Sequence, residues 1–393
     1  MQSPAGSRGK LREVYPVGSK IVIAPVLLAS VFVATAALSW RSAVASDNKT
    51  AAHSNPQWDS AAAHYLDTRE LWWQSWDKSQ RDHQTVCVSC HTVVPYALAR
   101  PLLRQQMGDP DFAGPERIMY DDIVKRVKLW NEVEPFYKDG KSGPTKSIES
   151  RDTEAVLNAF ILANYDARRG HLSDVTRQAF QNAWALQRHT GDNAGAWIWL
   201  NFHNSPWESN ISEYWGATMA ALAVGIAPDN YRKSSGIQSN LDELRAYLRR
   251  EYDAQPLVNR IVLLWASAKV PDLLTRTQRD ALIRQIASKQ QPDGGWSASD
   301  LGTFERHDHT PEVTRSDGYA TGLTVYALEE IGKAKLPAAR RGRAWLLANQ
   351  NPTEGDWTAW SLNKNHDPAS DTGHFMDDAA TGYAVLALEQ ARK

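Results

Sequence analysis

The sequence predicts an all-α protein, a small helical segment followed by helix pairs that repeat and stack on one another. Three observations predict it. Apolar residues recur with helical spacing from Trp58 onward, broken by loops rich in Gly, Trp, His and Asp. No alternation of Val, Ile and Thr calls for a sheet. The second segment, from about His171, also repeats itself.

Composition bounds what the chain does. At 393 residues it is long enough for two or three domains. Hydrophobic residues are 42% and charged residues 23%, as in an ordinary globular protein. The net charge of -1 gives no footprint for a nucleic-acid partner. Only two cysteines occur, which excludes a disulfide scaffold.

In chain order, Arg8, Lys10, Arg12 and Lys20 precede an apolar run from Ile21 to Leu38. Basic residues before such a span predict a cytoplasmic N-terminus and an exported remainder. The run is close to a membrane-spanning length, and Ala43-Val44-Ala45 offers a cleavage site. Residues 1–45 are therefore a signal peptide, or an anchor holding the chain to the inner membrane through residues 21–40. Either way the expected location is periplasmic or otherwise extracytoplasmic. Residues 46–56 are polar and read as a linker. Residues 57–170 form a first helical domain, with loops at Gly108-Asp109-Pro110, Gly114-Pro115 and Gly140 to Pro144.

Residues 171–393 carry the repeat. One copy runs from Phe180 through Gln187, Gly195, Trp197, His203 and Glu213 to Ala217-Thr218. Another runs from Leu282 through Gln291, Gly294, Trp296, His307 and Asp317 to Ala320-Thr321. The last runs from Trp345 through Gln350, Gly355, Trp357, His366 and Asp378 to Ala380-Thr381. The wide gap between the first two predicts a degenerate copy at Leu241 to Lys269. Helix pairs of this size cannot bury their apolar faces alone and must stack; an open solenoid and a closed toroid both satisfy that.

The first domain holds Cys87-Val88-Ser89-Cys90-His91, a C-x-x-C-H motif. Two thiols at this spacing add across the porphyrin vinyl groups, and the adjacent His reaches the iron. The expected cofactor is one covalent haem c, with Cys87 and Cys90 as attachment sites and His91 as axial ligand. A zinc site would want two more ligands, and no other cysteine exists. A redox dithiol would not require His91.

This motif, with a helix before it (Asp59 to Asp77) and one closing the segment (Thr153 to Leu162), resembles the cytochrome c family. The resemblance implies electron transfer with a partner, and a distal Met after the middle helix. Glu134-Pro135 stands where that Met is expected, leaving Met107 and Met119, or His64 and His83, as candidates. An occupied distal face implies electron transfer, an open one the binding or activation of a small molecule. For Met107 and Met119 the alternative is ordinary core packing.

In the second segment, Arg341 to Gln350 followed by Gly355-Asp356-Trp357, and Gln290-Gln291-Pro292-Asp293-Gly294-Gly295-Trp296, resemble the Gln-Trp repeat of squalene-hopene cyclases and related terpene cyclases. Such a Gln bonds backbone groups at a helix end while the Trp packs on the next repeat. The resemblance implies a closed ring of inner and outer helices around a central cavity that takes an apolar, isoprenoid-like molecule. It also implies an Asp-x-Asp-Asp acid that protonates an alkene. Phe375-Met376-Asp377-Asp378 keeps the last two acids and lacks the first, and the sibling loop offers Ser316-Asp317. The alternative for Asp317, Asp377 and Asp378 is helix capping.

Polar groups recur in the matching loops: His203 with Trp207 and Glu208, His307-Asp308-His309 with Glu312, and His366-Asp367 with His374. In a ring these loops face one rim, a polar mouth for a ligand, a metal or the haem, with His307, His309 and His374 as candidate site residues. Three functions follow as expectations: a redox protein handling an apolar ligand, a non-catalytic electron carrier or sensor docking through the ring, and a terpene cyclase with an appended cytochrome.

Overall fold

The computed structural model describes residues 57–392, apart from 110, 113 and 138–143. The expected signal or anchor and the linker lie outside the described residues. Among those described, no helix is long and apolar enough to cross a membrane.

Twelve α-helices make up the described chain: α1 Trp58–Ser75, α2 Val93–Met107, α3 Gly114–Lys128, α4 Pro144–Arg169, α5 Asp174–Leu186, α6 Ser212–Ile226, α7 Gln238–Arg250, α8 Leu257–Ala266, α9 Arg276–Ser288, α10 Gly318–Glu330, α11 Pro337–Ala348 and α12 Phe375–Gln390. They form six consecutive hairpins. The even-numbered helices pack side by side as α2, α4, α6, α8, α10 and α12, and α12 packs back on α2. The ring is closed. The expected degenerate copy is the α7–α8 hairpin, joined by a short turn instead of a Trp loop.

Burial explains which helix goes where. Almost every residue of α6, α10 and α12 is buried, as an inner helix packed on all sides requires. Outer helices bury one stripe: α9 hides Leu282 and Ile286, and α11 hides Ala338, Ala339, Gly342 and Leu346. The segment that carries C-x-x-C-H contributes α1 to α4, the first two hairpins of this same ring. Residue 170 marks the turn between the second and third hairpins, and the described residues belong to one compact unit, 51–393.

The Gln-Trp motif staples hairpin to hairpin. Gln187 Nε2 donates to Gly195 O and to Asn240 O, both at 3.0 Å. Gln290, rather than the expected Gln291, makes the matching bonds to Gly294 O (2.7 Å) and Ala338 O (2.8 Å). Gln350 donates to Gly355 O and Trp58 O, both at 2.8 Å. Each Gln thus ties its own loop to the start of the next outer helix. The last one reaches α1 and closes the circle. Indole N–H groups of Trp197, Trp296 and Trp357 cap carbonyls of their own outer helices, Ala183, Ile286 and Leu346, at 2.7–2.8 Å. Gly195, Gly294 and Gly355 sit at φ of 98°, 98° and 85°, and the adjoining outer helix passes within contact of each.

The cavity that the cyclase resemblance implies is occupied by side chains. Phe160 on α4 meets Trp265 on α8 with centroids 6.2 Å apart, although α6 separates those helices around the ring. Trp207, before α6, meets Tyr319 on α10 at 5.3 Å, and Tyr319 meets Tyr383 on α12 at 5.6 Å. Aromatic rings therefore span the axis. Among the described residues, one two-residue ribbon forms, β1 Gln80–Arg81 with β2 Thr85–Val86, which leads into Cys87.

Candidate functional site at the mouth of the ring

Because hairpins alternate direction, the N-terminal ends of all inner helices lie at one end of the ring. The C-x-x-C-H segment opens α2 and so sits there too. Ser89 Oγ accepts from Thr92 N (3.2 Å) and Val93 N (3.1 Å), capping that helix end. Cys87 is held by its N–H to Ser79 O (2.9 Å) and by Trp73 Nε1 donating to its carbonyl (2.7 Å). Residues 87–89 are non-helical and 90–92 form a turn, so both thiols precede α2 and do not occupy one turn of it.

Both thiols are buried, 6% and 4% exposed. Burial pushes the Cys87 thiol up to about 12 and raises Cys90 as well. A free, unligated thiolate is unfavourable in that setting. An uncharged thioether is not.

His91 is half-buried. Phe375 stacks on it at 3.9 Å, Trp73 meets its edge at 5.2 Å, and Trp207 lies at 6.2 Å. Burial lowers its pKa to about 3, so the imidazole is neutral. Its tautomer follows from its neighbours. Thr92 Oγ1 has one proton and gives it to Asp378 Oδ2 at 2.6 Å. The same oxygen lies 2.8 Å from His91 Nδ1 and must accept there. Nδ1 therefore carries the hydrogen and Nε2 the lone pair. Nε2 has no hydrogen-bond partner among the described residues.

Asp378, from α12, takes two further donors from α1: Tyr65 Oη at 2.9 Å and Arg69, through Nε at 2.7 Å and Nη2 at 3.2 Å. Burial raises its pKa, and the Arg69 guanidinium opposes that. With every lone pair engaged and 1% exposure, Asp378 holds other groups in place and meets no substrate. Asp317 is the N-cap of α10, accepting from Ala320 N (2.8 Å) and Ala298 N (2.5 Å). Asp377 accepts from Ala359 N at 2.7 Å and lies 3.2 Å from His374 Nδ1, which raises the pKa of that His. These acids tie Trp loops to inner helices.

The three polar loops do share one rim. Asn363 exchanges hydrogen bonds with Ser205 (2.7 and 2.8 Å) and accepts from His307 N (2.7 Å). Arg306 donates to Ser361 O and Asn365 Oδ1 from the same loop cluster. Their histidines do not converge. His203, His307 and His309 are exposed and His366 and His374 half-buried. Among the described residues, no group of three or more His, Cys, Asp or Glu is placed to hold a metal ion.

Met107 is the last residue of α2, 39% exposed, sixteen positions or about 24 Å of helix from His91. That removes it as an iron ligand. Met119 is 1% exposed, a core residue of outer helix α3. His64 and His83 are exposed, on α1 and in the turn before β2.

Sequence reasoning missed Arg69, Tyr65, Thr92 and Tyr319. Thr92 follows the motif directly and was legible as a hydroxyl beside the His; the others carry no local signal. The mouth also holds Glu208, half-buried, whose carboxylate burial pushes up to about 7, with Lys146 opposing.

No protein-family model matches the chain, and no curated protein matches it. Among solved structures it is similar to a glycosidase in complex with glucose, at 14% identity and a TM-score of 0.42, over 85% of this chain and 86% of that one. It is also similar to a polysaccharide lyase, at 11% identity and a TM-score of 0.37, over 85% and 89%.

Proposed function

We propose that this chain is an exported monohaem protein, with porphyrin joined to Cys87 and Cys90 and its iron ligated by His91 at the mouth of the ring. One observation carries the reading: His91 is neutral, its Nδ1–H is fixed through Thr92 to Asp378, and its Nε2 is left without a protein partner. Metal-bound imidazoles are oriented by such an outer carboxylate or hydroxyl. The residues present fit the group, since two buried thiols suit thioethers. Phe375 stacks on one face of the imidazole.

A bound haem would supply one-electron exchange. Thr92 and Asp378 would orient His91, and Trp73, Trp207 and Phe375 would shield it. The role is redox, in catalysis or in passing electrons to a partner, and outside the cytoplasm, where such attachment occurs. An isoprenoid inside the ring would have to displace the aromatic rings across its axis, so the mouth is the ligand-facing surface. A cyclase role loses further support, because Asp377 and Asp378 are committed to structural bonds.

The test is the alkaline pyridine spectrum of the reduced purified protein, with acid–acetone extraction. Pigment that stays with the protein, and is lost in Cys87→Ser with Cys90→Ser, supports the proposal. Colourless protein from a host competent in haem attachment overturns it.

A further inference from the structure

We propose that the far end of the ring holds a second site, an arginine-lined pocket that binds a small organic oligoanion through phosphate or carboxylate oxygens. The pocket lies between the C-terminal ends of α2 and α4 and the first turn of α3. Inner helices run from the mouth to this end, so the C-x-x-C-H segment is remote and the proposal stands apart from the haem. The cavity measures about 560 Å³, within the range of small-ligand sites.

Arg104, Arg117, Arg168 and Arg169 line it. Three of them surround one ring: the guanidinium groups of Arg117, Arg104 and Arg169 lie 4.4, 5.2 and 5.4 Å from the centroid of Phe112. Two of the four are already neutralised. Arg104 Nε bonds Glu116 at 3.0 Å, and Arg169 Nη1 lies 3.7 Å from Asp166 while donating to Tyr120 Oη at 2.8 Å. The other two are not. Arg168 reaches only neutral acceptors, Asn164 Oδ1 at 3.3 Å and Leu98 O at 3.4 Å. Arg117 is exposed and, beyond its stack on Phe112, has no hydrogen bond or ion pair among the described residues. Asp109 and Asp111 line the same cavity, yet among the described residues neither forms an ion pair with any of these arginines.

Helix chemistry explains three of the four. Cations in the last turn complement the helix dipole, which accounts for Arg104 on α2 and for Arg168 and Arg169 on α4. It does not account for Arg117. Helix α3 begins at Gly114, so Arg117 stands in its first turn, where the dipole disfavours a cation by about 0.3–1 kcal/mol. Its exposed stack on Phe112 returns about 0.5–1 kcal/mol, so the fold gains little from that charge. An anion in the pocket would pair with it and with Arg168 together. The donor set selects the ligand. Guanidinium groups only donate, through planar forks that match phosphate and carboxylate oxygens. A neutral sugar would leave both charges unpaired, and a cation would meet four positive groups against two negative ones. A single inorganic ion would fill only part of the cavity, so the match is an organic molecule with two or more anionic groups.

The experiment is calorimetric titration of the full chain, at about 0.15 M salt to screen diffuse attraction, with pyrophosphate and with citrate. The two probes separate phosphate from carboxylate recognition. Saturable binding of at least one is expected in the wild type. Arg117→Gln and Arg168→Gln each remove one charge and leave the Arg104–Glu116 and Arg169–Asp166 pairs in place. Each is expected to weaken binding by about tenfold, the loss of one charge-assisted hydrogen bond. Arg276→Gln, on outer helix α9 with a side chain 96% exposed, removes the same charge elsewhere and should bind as the wild type does. Without a probe, Arg117→Gln should melt no lower than the wild type, and the probe should raise the Tm of the wild type more than that of the variant. No saturation by either probe, undiminished affinity in both pocket variants, or an equal loss in Arg276→Gln overturns the proposal. A lower Tm for Arg117→Gln without a probe overturns it too, by giving that charge a structural role.

Discussion

Arg69 Nε lies 2.7 Å from Asp378 Oδ1, joining the first outer helix to the last inner helix across 309 residues of chain. Both side chains are nearly sealed from water, 7% and 1% exposed. The pair does two jobs. It closes the ring beside the Gln350–Trp58 staple, and it anchors the hydroxyl that orients His91.

Removing one member of this pair leaves a buried charge unpaired. Asp378→Ala is expected to cost about 3–5 kcal/mol in guanidinium denaturation. Arg69→Ala should cost a comparable amount, and the double variant much less than the sum. Strict additivity would mean that the two are not coupled.

Gly355 tests the staple geometry. A Cβ there would stand 2.5 Å from Ala61 O at a φ of +85°. Gly332, at φ +74°, opens on empty space. Gly332→Ala should cost about 1–2 kcal/mol from the left-handed backbone alone. Gly355→Ala should cost clearly more, read as a larger drop in Tm. Equal losses would show that α1 does not press on this loop.

Glu70 sets a pH dependence. It is fully buried with one carboxylate oxygen unpartnered, and burial pushes its pKa up to about 8, with the Gln74 hydrogen bond opposing. The folded state thus keeps a proton that the unfolded chain releases near 4.5. Its contribution to stability is complete at low pH and is lost as pH rises from about 4.5 through about 8. Glu70→Gln should flatten the denaturation free energy over that window and be the more stable protein at pH 8.5. An unchanged slope would contradict the assignment.

Thr92 controls the imidazole. Thr92→Ser should preserve the Nδ1–H tautomer of His91, read by nitrogen NMR, with little change in stability. Thr92→Val should release that preference and cost about 1–3 kcal/mol, since a buried acceptor loses its donor. A fixed tautomer in the valine variant would mean that another group orients the ring.

Much of the architecture was legible in residues. Gln187, Gly195 and Trp197 recur as Gln291, Gly294 and Trp296, one residue off the Gln290 that makes the bonds, and again as Gln350, Gly355 and Trp357, because one local device was used three times. Its degenerate fourth site was found from spacing alone. The first two hairpins were not legible as part of the ring. α1 to α4 lack the Gln-Trp device, and the C-x-x-C-H segment drew them toward a separate cytochrome-like body. The polar rim was legible, but His307 and His309, flagged by clustering, point to solvent. Glu208 and Trp207, flagged only as their neighbours, lie at the mouth.

The sequence by itself determined the helical class, the repeating staples and the thiol–imidazole segment, since each is written in residues a few positions apart. Tertiary structure alone decided that the ring closes through Gln350 on Trp58, and that Asp378 serves Thr92 and Arg69. It also decided that aromatic rings fill the axis. Those contacts join residues up to about three hundred positions apart. Short-range periodicity reports which face of a helix is buried, not which distant helix covers it.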